Sequence, residues 1–209
     1  MSGHAHEDEV VPVEAMDLIG GDISLDFVNT ASRRTGEGLK EKLRTYDDLV
    51  SWAERVDLVG AERAGRLRRA AAADPAAAAS VLERARTLRE VIYRVFSTDA
   101  PSPPDLEALA GAASEAASER RLERTPAGYE WVWPESDALG RLLWPIALSA
   151  AELLTSEDRE RVKECAADRC NWLFLDRSRN RSRRWCDMKD CGNRAKARRF
   201  QSRQRVKER

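Results

Sequence analysis

All four cysteines of this 209-residue chain, Cys165, Cys170, Cys186 and Cys191, fall within its last 45 residues. Their spacing is Cys-x4-Cys-x15-Cys-x4-Cys. Two close pairs separated by about 15–20 residues form the pattern of a zinc site, although the pairs are more often two residues apart. The chemistry needs four thiolates at the corners of a tetrahedron, each about 2.3 Å from the metal. Each short pair supplies two corners from one turn, and the intervening segment brings the pairs together. Redox or reactive cysteine is the rival reading, but neither pair has the two-residue spacing of a dithiol motif. The chain reads as cytoplasmic, which argues against structural disulfides. A segment of about 50 residues with few apolar side chains cannot hold itself together by burial. Metal ligation contributes roughly 10–16 kcal/mol of apparent folding energy in zinc-finger peptides. Four cysteines without a histidine fill every position of a tetrahedral Zn2+. No position remains for water, so the ion is read as structural rather than hydrolytic.

The same region is basic. Residues 161–209 hold 17 Lys/Arg against 6 Asp/Glu, and residues 1–160 hold 19 against 30, so a formal net charge of zero hides a module at +11 and a body at −11. That asymmetry points to a basic module that meets a polyanion. Between the cysteine pairs, Trp172–Asp176 is apolar and strand-like, and Arg177–Arg184 follows before Trp185. The pattern predicts a hairpin with a strongly basic turn. After Cys191, Gly192 is read as letting backbone amides approach a cysteine sulfur. Good helix formers from Ala195 onward predict a helix toward the C-terminus, with Ala197 and Phe200 as a narrow inward stripe. Arg169, Arg184, Lys189 and Arg194 are placed to offset the charge of a dianionic zinc–thiolate centre.

The body reads as mostly helical. Residues 1–15 form a polar, flexible lead that contains both histidines, His4 and His6. Gly20-Gly21-Asp22 is a turn. Ile23–Thr30 fits either a short strand or a helical turn, with Asp26 and Asn29 expected to cap or bridge backbone groups. Helices are predicted over 45–58, with Thr45 as N-cap, over 61–73, over 76–97 and over 106–117. The arginines along them are read as solvated partners of nearby acids, and residues 101–104 (PSPP) as a rigid stop. Residues 122–133 predict a β-hairpin around Pro126-Ala127-Gly128, with Tyr129, Trp131 and Trp133 on one face, read as the inner face of a small sheet with stacking on bases or a ligand as the alternative. Residues 136–154 are helical, with a kink or restart at Pro145, and Ser156 or Thr155 caps a short helix that leads to Cys165. The longest apolar stretch, Leu142–Leu154, is interrupted by Pro145, Ser149 and Glu152 and is too short for a bilayer, which needs roughly 20 apolar residues. The N-terminus lacks the pattern of a signal peptide.

The strings CNWLFLDRSRNRSRRW and WCDMKDCGNRAKARR resemble the CGNR zinc-finger family of bacterial proteins. The upstream LDFVNT (Leu25–Thr30) and the Leu139–Leu154 segment resemble its companion, the ABATE domain. The resemblance implies an α+β N-terminal domain, a treble-clef-like or ribbon-like zinc module, and a role as a stress-linked transcription regulator. It assigns the ligands to Cys165, Cys170, Cys186 and Cys191 and the signature to Cys191-Gly192-Asn193-Arg194. Asn171 departs from the pattern, which leads one to expect a small residue after the second cysteine. The expected organisation is a lead over 1–15, an ABATE-like α+β domain over 16–155, and a zinc-finger domain with a basic C-terminal helix over 156–209.

The functional expectation is a DNA-binding regulator. Lys and Arg neutralise phosphates, and a few arginines read guanine edges. The candidates are Arg179, Arg181 and Arg183 on the hairpin, and Arg194, Lys196, Arg198, Arg199 and Arg203 on the helix. Arg194 has a structural alternative, bonding the zinc knuckle or Asp176. A protein-interaction adaptor is the second reading, and RNA, stacked on Trp172, Phe174 and Trp185, the third. The charge split suggests that the acidic body docks over the basic face. The chain has no phosphate-binding glycine loop, no nucleophile elbow and no histidine in the folded region, so an enzyme is not expected.

Overall fold

The computed structural model describes residues 11–34 and 38–207. His4 and His6 lie outside the described residues. A short 3-10 turn spans Val13–Ala15, and Val13 and Met16 are buried in the core. The last part of the expected lead is therefore packed, because Val13 and Met16 are worth more inside than in water.

Helix α1 covers Ile23–Val28. Asp22 decides it as a helix: its carboxylate accepts the Ser24 N–H as an N-cap. A minimal antiparallel pair follows, β1 (Ala31–Ser32) with β2 (Lys40–Glu41). Helix α2 (Tyr46–Arg55) starts at a capping box in which Thr45 and Asp48 each accept the other's backbone N–H. Helices α3 (Ala61–Ala73) and α4 (Pro75–Phe96) are divided by Asp74, which caps α4 ahead of Pro75. Helix α5 is Pro103–Ser118. The prolines expected as a stop open this helix, because the first turn has no use for their missing N–H groups, and Ser102 caps it. Strands β3 (Arg121–Thr125) and β4 (Gly128–Val132) form the predicted hairpin. A 3-10 turn over Leu139–Leu142 leads into α6 (Leu143–Thr155), so Pro145 sits in the first turn of a restarted helix. Ser156 caps one more 3-10 turn, Glu157–Arg161.

The C-terminal part contains β5 (Val162–Glu164), β6 (Leu173–Leu175), a single π-type turn (Met188–Gly192) and α7 (Asn193–Lys207). The whole is the α+β arrangement expected, with two-stranded antiparallel sheets among the described residues. One apolar cluster runs from Val13 through α1, α2, α4 and α6 and takes in Val162, Leu173 and Leu175. The strands beside the first cysteine pair thus belong to the core of the body. A second cluster holds the four cysteines with Ala167 and Phe174, against Ile19, Trp172 and Trp185.

Two side-chain expectations are corrected here. Tyr129 and Trp131 are 72% and 57% exposed, with Leu122 opposite Trp131 on the same face. Among the described residues, no sheet or helix covers that face, and of the three aromatics Trp133 is the one that turns inward, donating its indole N–H to the Ala116 carbonyl at 2.9 Å. Most helix arginines do pair with exposed acids, but Arg89 is only 2% exposed and forks onto both oxygens of Glu41 at 2.6 Å. This charge-assisted pair fastens α4 to β2 through the core.

Candidate zinc centre and basic face

The first cysteine pair sits at the tip of a β-hairpin. Strands β5 and β6 pair antiparallel, with Glu164 opposite Leu173, and the Cys165–Cys170 turn joins them. The predicted hairpin is thus displaced: β6 pairs with the strand before Cys165, and the basic segment after it is a loop. Asn171 stands at φ 59, the left-handed region that asparagine tolerates better than most residues, and donates its side-chain N–H to Glu164 at 2.8 Å. The departure from the family pattern is therefore suited to its place. Of the second pair, Cys186 precedes the π-type turn and Cys191 lies within it, and Asp187 caps the Lys189 and Asp190 amides. The Gly192 amide donates to the Asp187 carbonyl at 2.9 Å and so closes the turn. A Cβ there would meet the Met188 sulfur at 2.6 Å, the far end of an exposed side chain that would have to move aside.

The four sulfurs are buried and lie within 4.8 Å of one another. Cys170–Cys186, Cys186–Cys191 and Cys191–Cys170 are separated by 3.6, 3.5 and 3.6 Å. A tetrahedral zinc ion with Zn–S bonds of about 2.3 Å has sulfur–sulfur edges of about 3.8 Å. The cysteines match that figure and are far from the roughly 2.05 Å of a disulfide. Four sulfurs this close cannot all be thiolates without a cation among them. One structural zinc ion fits the donor set and its geometry. Two further donors support the thiolates. The Cys186 amide donates to the Cys165 sulfur at 3.3 Å, and Arg194 donates to the Cys191 sulfur at 3.0 Å. Burial opposes the charge of Arg194, but the hydrogen bond to Cys191 together with the charges of Cys191, Asp190 and Cys170 outweighs it and raises its pKa. Arg194 is bound to the knuckle, and Asp176 is held elsewhere.

The module is bolted to the body through β6. Asn29 acts as a missing strand: its side-chain N–H donates to the Leu173 carbonyl, and the Leu173 amide donates back to its oxygen, both at 2.9 Å. The Leu175 amide donates to Gly20 at 2.8 Å, and the Arg33 amide to Cys170 at 3.3 Å. Asp26 fixes the Gly20 end by accepting its N–H at 2.8 Å. The expectation that Asp26 and Asn29 bridge backbone groups is met, and Asn29 does so across 144 residues of sequence.

Asp26 has a measurable consequence. Burial, partly opposed by the Gly20 hydrogen bond and reinforced by Asp22, raises its carboxyl pKa from 3.8 to about 6. The folded state binds this proton more tightly than the unfolded chain. The resulting stability is fully present below pH 3.8 and is lost as pH rises through about 6. Asp26→Asn keeps an oxygen for the Gly20 amide and removes the charge. Its stability relative to the wild type is expected to rise by about 2 kcal/mol between pH 4 and pH 7. Urea unfolding at both pH values checks this, and a difference that does not change with pH would refute it.

The basic loop is folded by Asp176, which is wholly buried. It accepts from Lys163 at 2.7 Å, from the Ser178 amide at 3.0 Å and from the Arg183 amide at 2.9 Å. Burial opposes its charge, yet Lys163 and these donors hold its carboxyl well below the usual carboxylate range. Arg183 is drawn inward: it bonds the Trp185 and Cys186 carbonyls and lies 4.3 Å over the Phe174 ring. It braces the zinc turn rather than facing outward as expected. Arg179 is exposed, and Arg181 is exposed with Glu160 at 3.5 Å.

On α7, Arg194, Lys196, Arg198 and Arg199 are exposed, with Arg198 paired to Asp168 at 2.6 Å. The side chain of Arg203 lies outside the described residues. The inward stripe is absent, since Ala197 is exposed and Phe200 is 62% exposed. Among the described residues, the acidic body leaves these side chains exposed, and nothing there supports the docking suggested by charge alone. The body is attached to the module by the Asn29 side chain, by backbone hydrogen bonds from Leu175 and Arg33, and by apolar contact at β6. Phe174 is fully buried and Trp172 and Trp185 pack against the cysteines, so their arrangement is that of core residues.

A helical body that carries a buried four-thiolate site and an exposed cationic helix defines a zinc-finger protein. Residues 21–157 match the model of the ABATE family, described as "Putative stress-induced transcription regulator", and residues 161–204 match that of the CGNR zinc finger. The chain belongs to the ABATE family and carries a CGNR zinc finger. Neither of the two is an enzyme family. No curated protein matches the chain. Among the described residues, no helix is long and apolar enough to cross a membrane.

Proposed function

We propose that this chain is a zinc-dependent DNA-binding transcription regulator, with the helical body as its regulatory, ligand- or partner-sensing part. The observation that carries the reading is α7. Its sequence, NRAKARRFQSRQRVK, contains seven cations and no carboxylate in 15 residues, and the helix leaves the zinc turn with its described side chains exposed from Lys196 to Phe200. An isolated helix of this length and composition is marginal in water. A polyanion stabilises such a helix by counterion release. Arg179 and Arg181 on the loop and Arg194, Lys196, Arg198, Arg199 and Arg203 on the helix are the proposed contacts. Arg183 braces the zinc turn instead, and Arg194 has a second duty at Cys191.

The exposed Leu122, Tyr129 and Trp131 favour a second reading, an adaptor that binds protein through the hairpin. The two are separated by selection of the zinc-loaded chain against a randomised duplex pool at about physiological salt. An enriched motif is the expected result, with affinity that falls steeply as salt rises. Failure to retain any duplex would reject the DNA reading in favour of the adaptor.

A further inference from the structure

The body itself contributes a cation to the basic face. A cleft of about 500 Å³ lies beside α7 and is lined by Arg33, Asp168, Arg169, Arg194, Arg198 and Gln201. Arg33 comes from the end of β1 in the body, Arg169 from the Cys165–Cys170 turn, and Arg194 and Arg198 from successive turns of α7. Four arginines and one aspartate thus line the cleft, with Arg198 paired to Asp168 at 2.6 Å and Arg194 to Asp190 at 3.2 Å. Arg194, Arg198 and Gln201 are spaced four and three apart, which places them on one face of the helix. Arg33 and Arg169 hold backbone φ values of 58 and 62, the left-handed region that disfavours a residue with a side chain. Strain of this kind is kept where the surrounding structure uses it, and both arginines flank the joint where the Arg33 amide meets the Cys170 carbonyl. The guanidinium fork matches the oxygens of a phosphate group.

We infer that this cleft grips the phosphodiester backbone of the bound nucleic acid, with Arg33 of the body and Arg169 of the zinc turn as phosphate contacts beside α7. The inference rests on the DNA-binding reading above and adds to it a partner surface that spans both parts of the chain. Spacing within the zinc finger cannot reveal it, because Arg33 is more than a hundred residues away in sequence. The arrangement gives the β6 bolt a function: it sets the distance between Arg33 and α7 and so fixes the path of the strand. Phosphate contacts of this kind position the protein without reading sequence.

The test uses the full-length, zinc-loaded chain with Arg33→Gln and Arg169→Gln, on an enriched duplex and on a scrambled one, over about 50 to 200 mM salt. Each variant is expected to bind both duplexes about fivefold more weakly, with the slope of log affinity against log salt shallower by about 0.9 for each lost contact. Zinc content and melting temperature should stay at wild-type values. Unchanged affinity and slope would overturn the inference and leave the DNA reading standing. Weaker binding with an unchanged slope and a lowered melting temperature would make the two arginines structural and overturn it equally. A wild type that binds neither duplex would reject the DNA reading, and this inference with it.

Discussion

Removal of zinc with a strong chelator is expected to release one ion per chain and to unfold the region from Cys186 through α7, while the helices of the body persist. The second apolar cluster is built from the four cysteines with Ala167 and Phe174, so its packing is organised by the metal. Structural zinc supplies roughly 10–16 kcal/mol of apparent folding energy in small modules, more than those few side chains can replace. Unfolding should nevertheless stop at β6. Leu173 and Leu175 lie in the core of the body and are bonded to Asn29 and Gly20 with no help from the metal. Hydrogen exchange with and without zinc should therefore show protection lost from residues 186–200 and kept at Leu173 and Leu175. Cys186→Ser should give the same pattern. Loss of protection throughout the body would show that zinc holds the whole chain, and retained protection in the π-type turn would show that the ion is not structural.

Asn29→Ala is expected to destabilise the chain by about 2–4 kcal/mol, because it leaves both the amide and the carbonyl of buried Leu173 without partners. The effect should appear as a lower urea midpoint with little change of slope. Protection of Leu173 should fall more than protection at the centre of α4, since the bolt and not the helical core has been cut. Zinc stoichiometry should stay at one. A loss below about 1 kcal/mol would show that Gly20 and the apolar contacts suffice to seat β6.

The difference between those two sites explains which features are legible in the sequence. The cysteine ligands need no partner elsewhere in the chain, so their spacing reveals them. Most helices are legible for the same local reason: Thr45 with Asp48 and Asp74 before Pro75 write their own starting points, whereas Ser102 opens α5 where the proline run reads as a stop. Asp26 and Asn29 can be read as backbone-bridging residues, yet nothing in LDFVNT says that the backbone bridged by Asn29 is β6. The strand pairing fails for a related reason. Trp172–Asp176 is legible as extended, and the basic run invites a partner after it. Instead, Asp176 pulls those residues into a turn and Val162–Glu164 takes the pairing.

Alternation in YEWVW correctly predicts the hairpin and wrongly predicts its environment, because a strand's period places side chains on one face without saying whether anything lies over it. Arg183 and Arg33 depart from their sequence context in opposite senses. Arg183 belongs to a run of cations, yet it turns inward to the Trp185 and Cys186 carbonyls. Arg33 stands among ordinary residues of the body, yet it lies at the mouth of a cationic cleft.

By itself, the sequence determined the zinc ligands, the helical body and the separation of charge, because each follows from residues close together in the chain: chelating pairs, capping residues and runs of arginine. Only the tertiary structure decided which strand completes the zinc hairpin, which arginines face outward, and that the body reaches the zinc module through Asn29, Gly20 and Arg33. These are long-range contacts. Their energies depend on which distant backbone groups are left in need of a partner once the core has formed, and no local pattern of residues encodes that need.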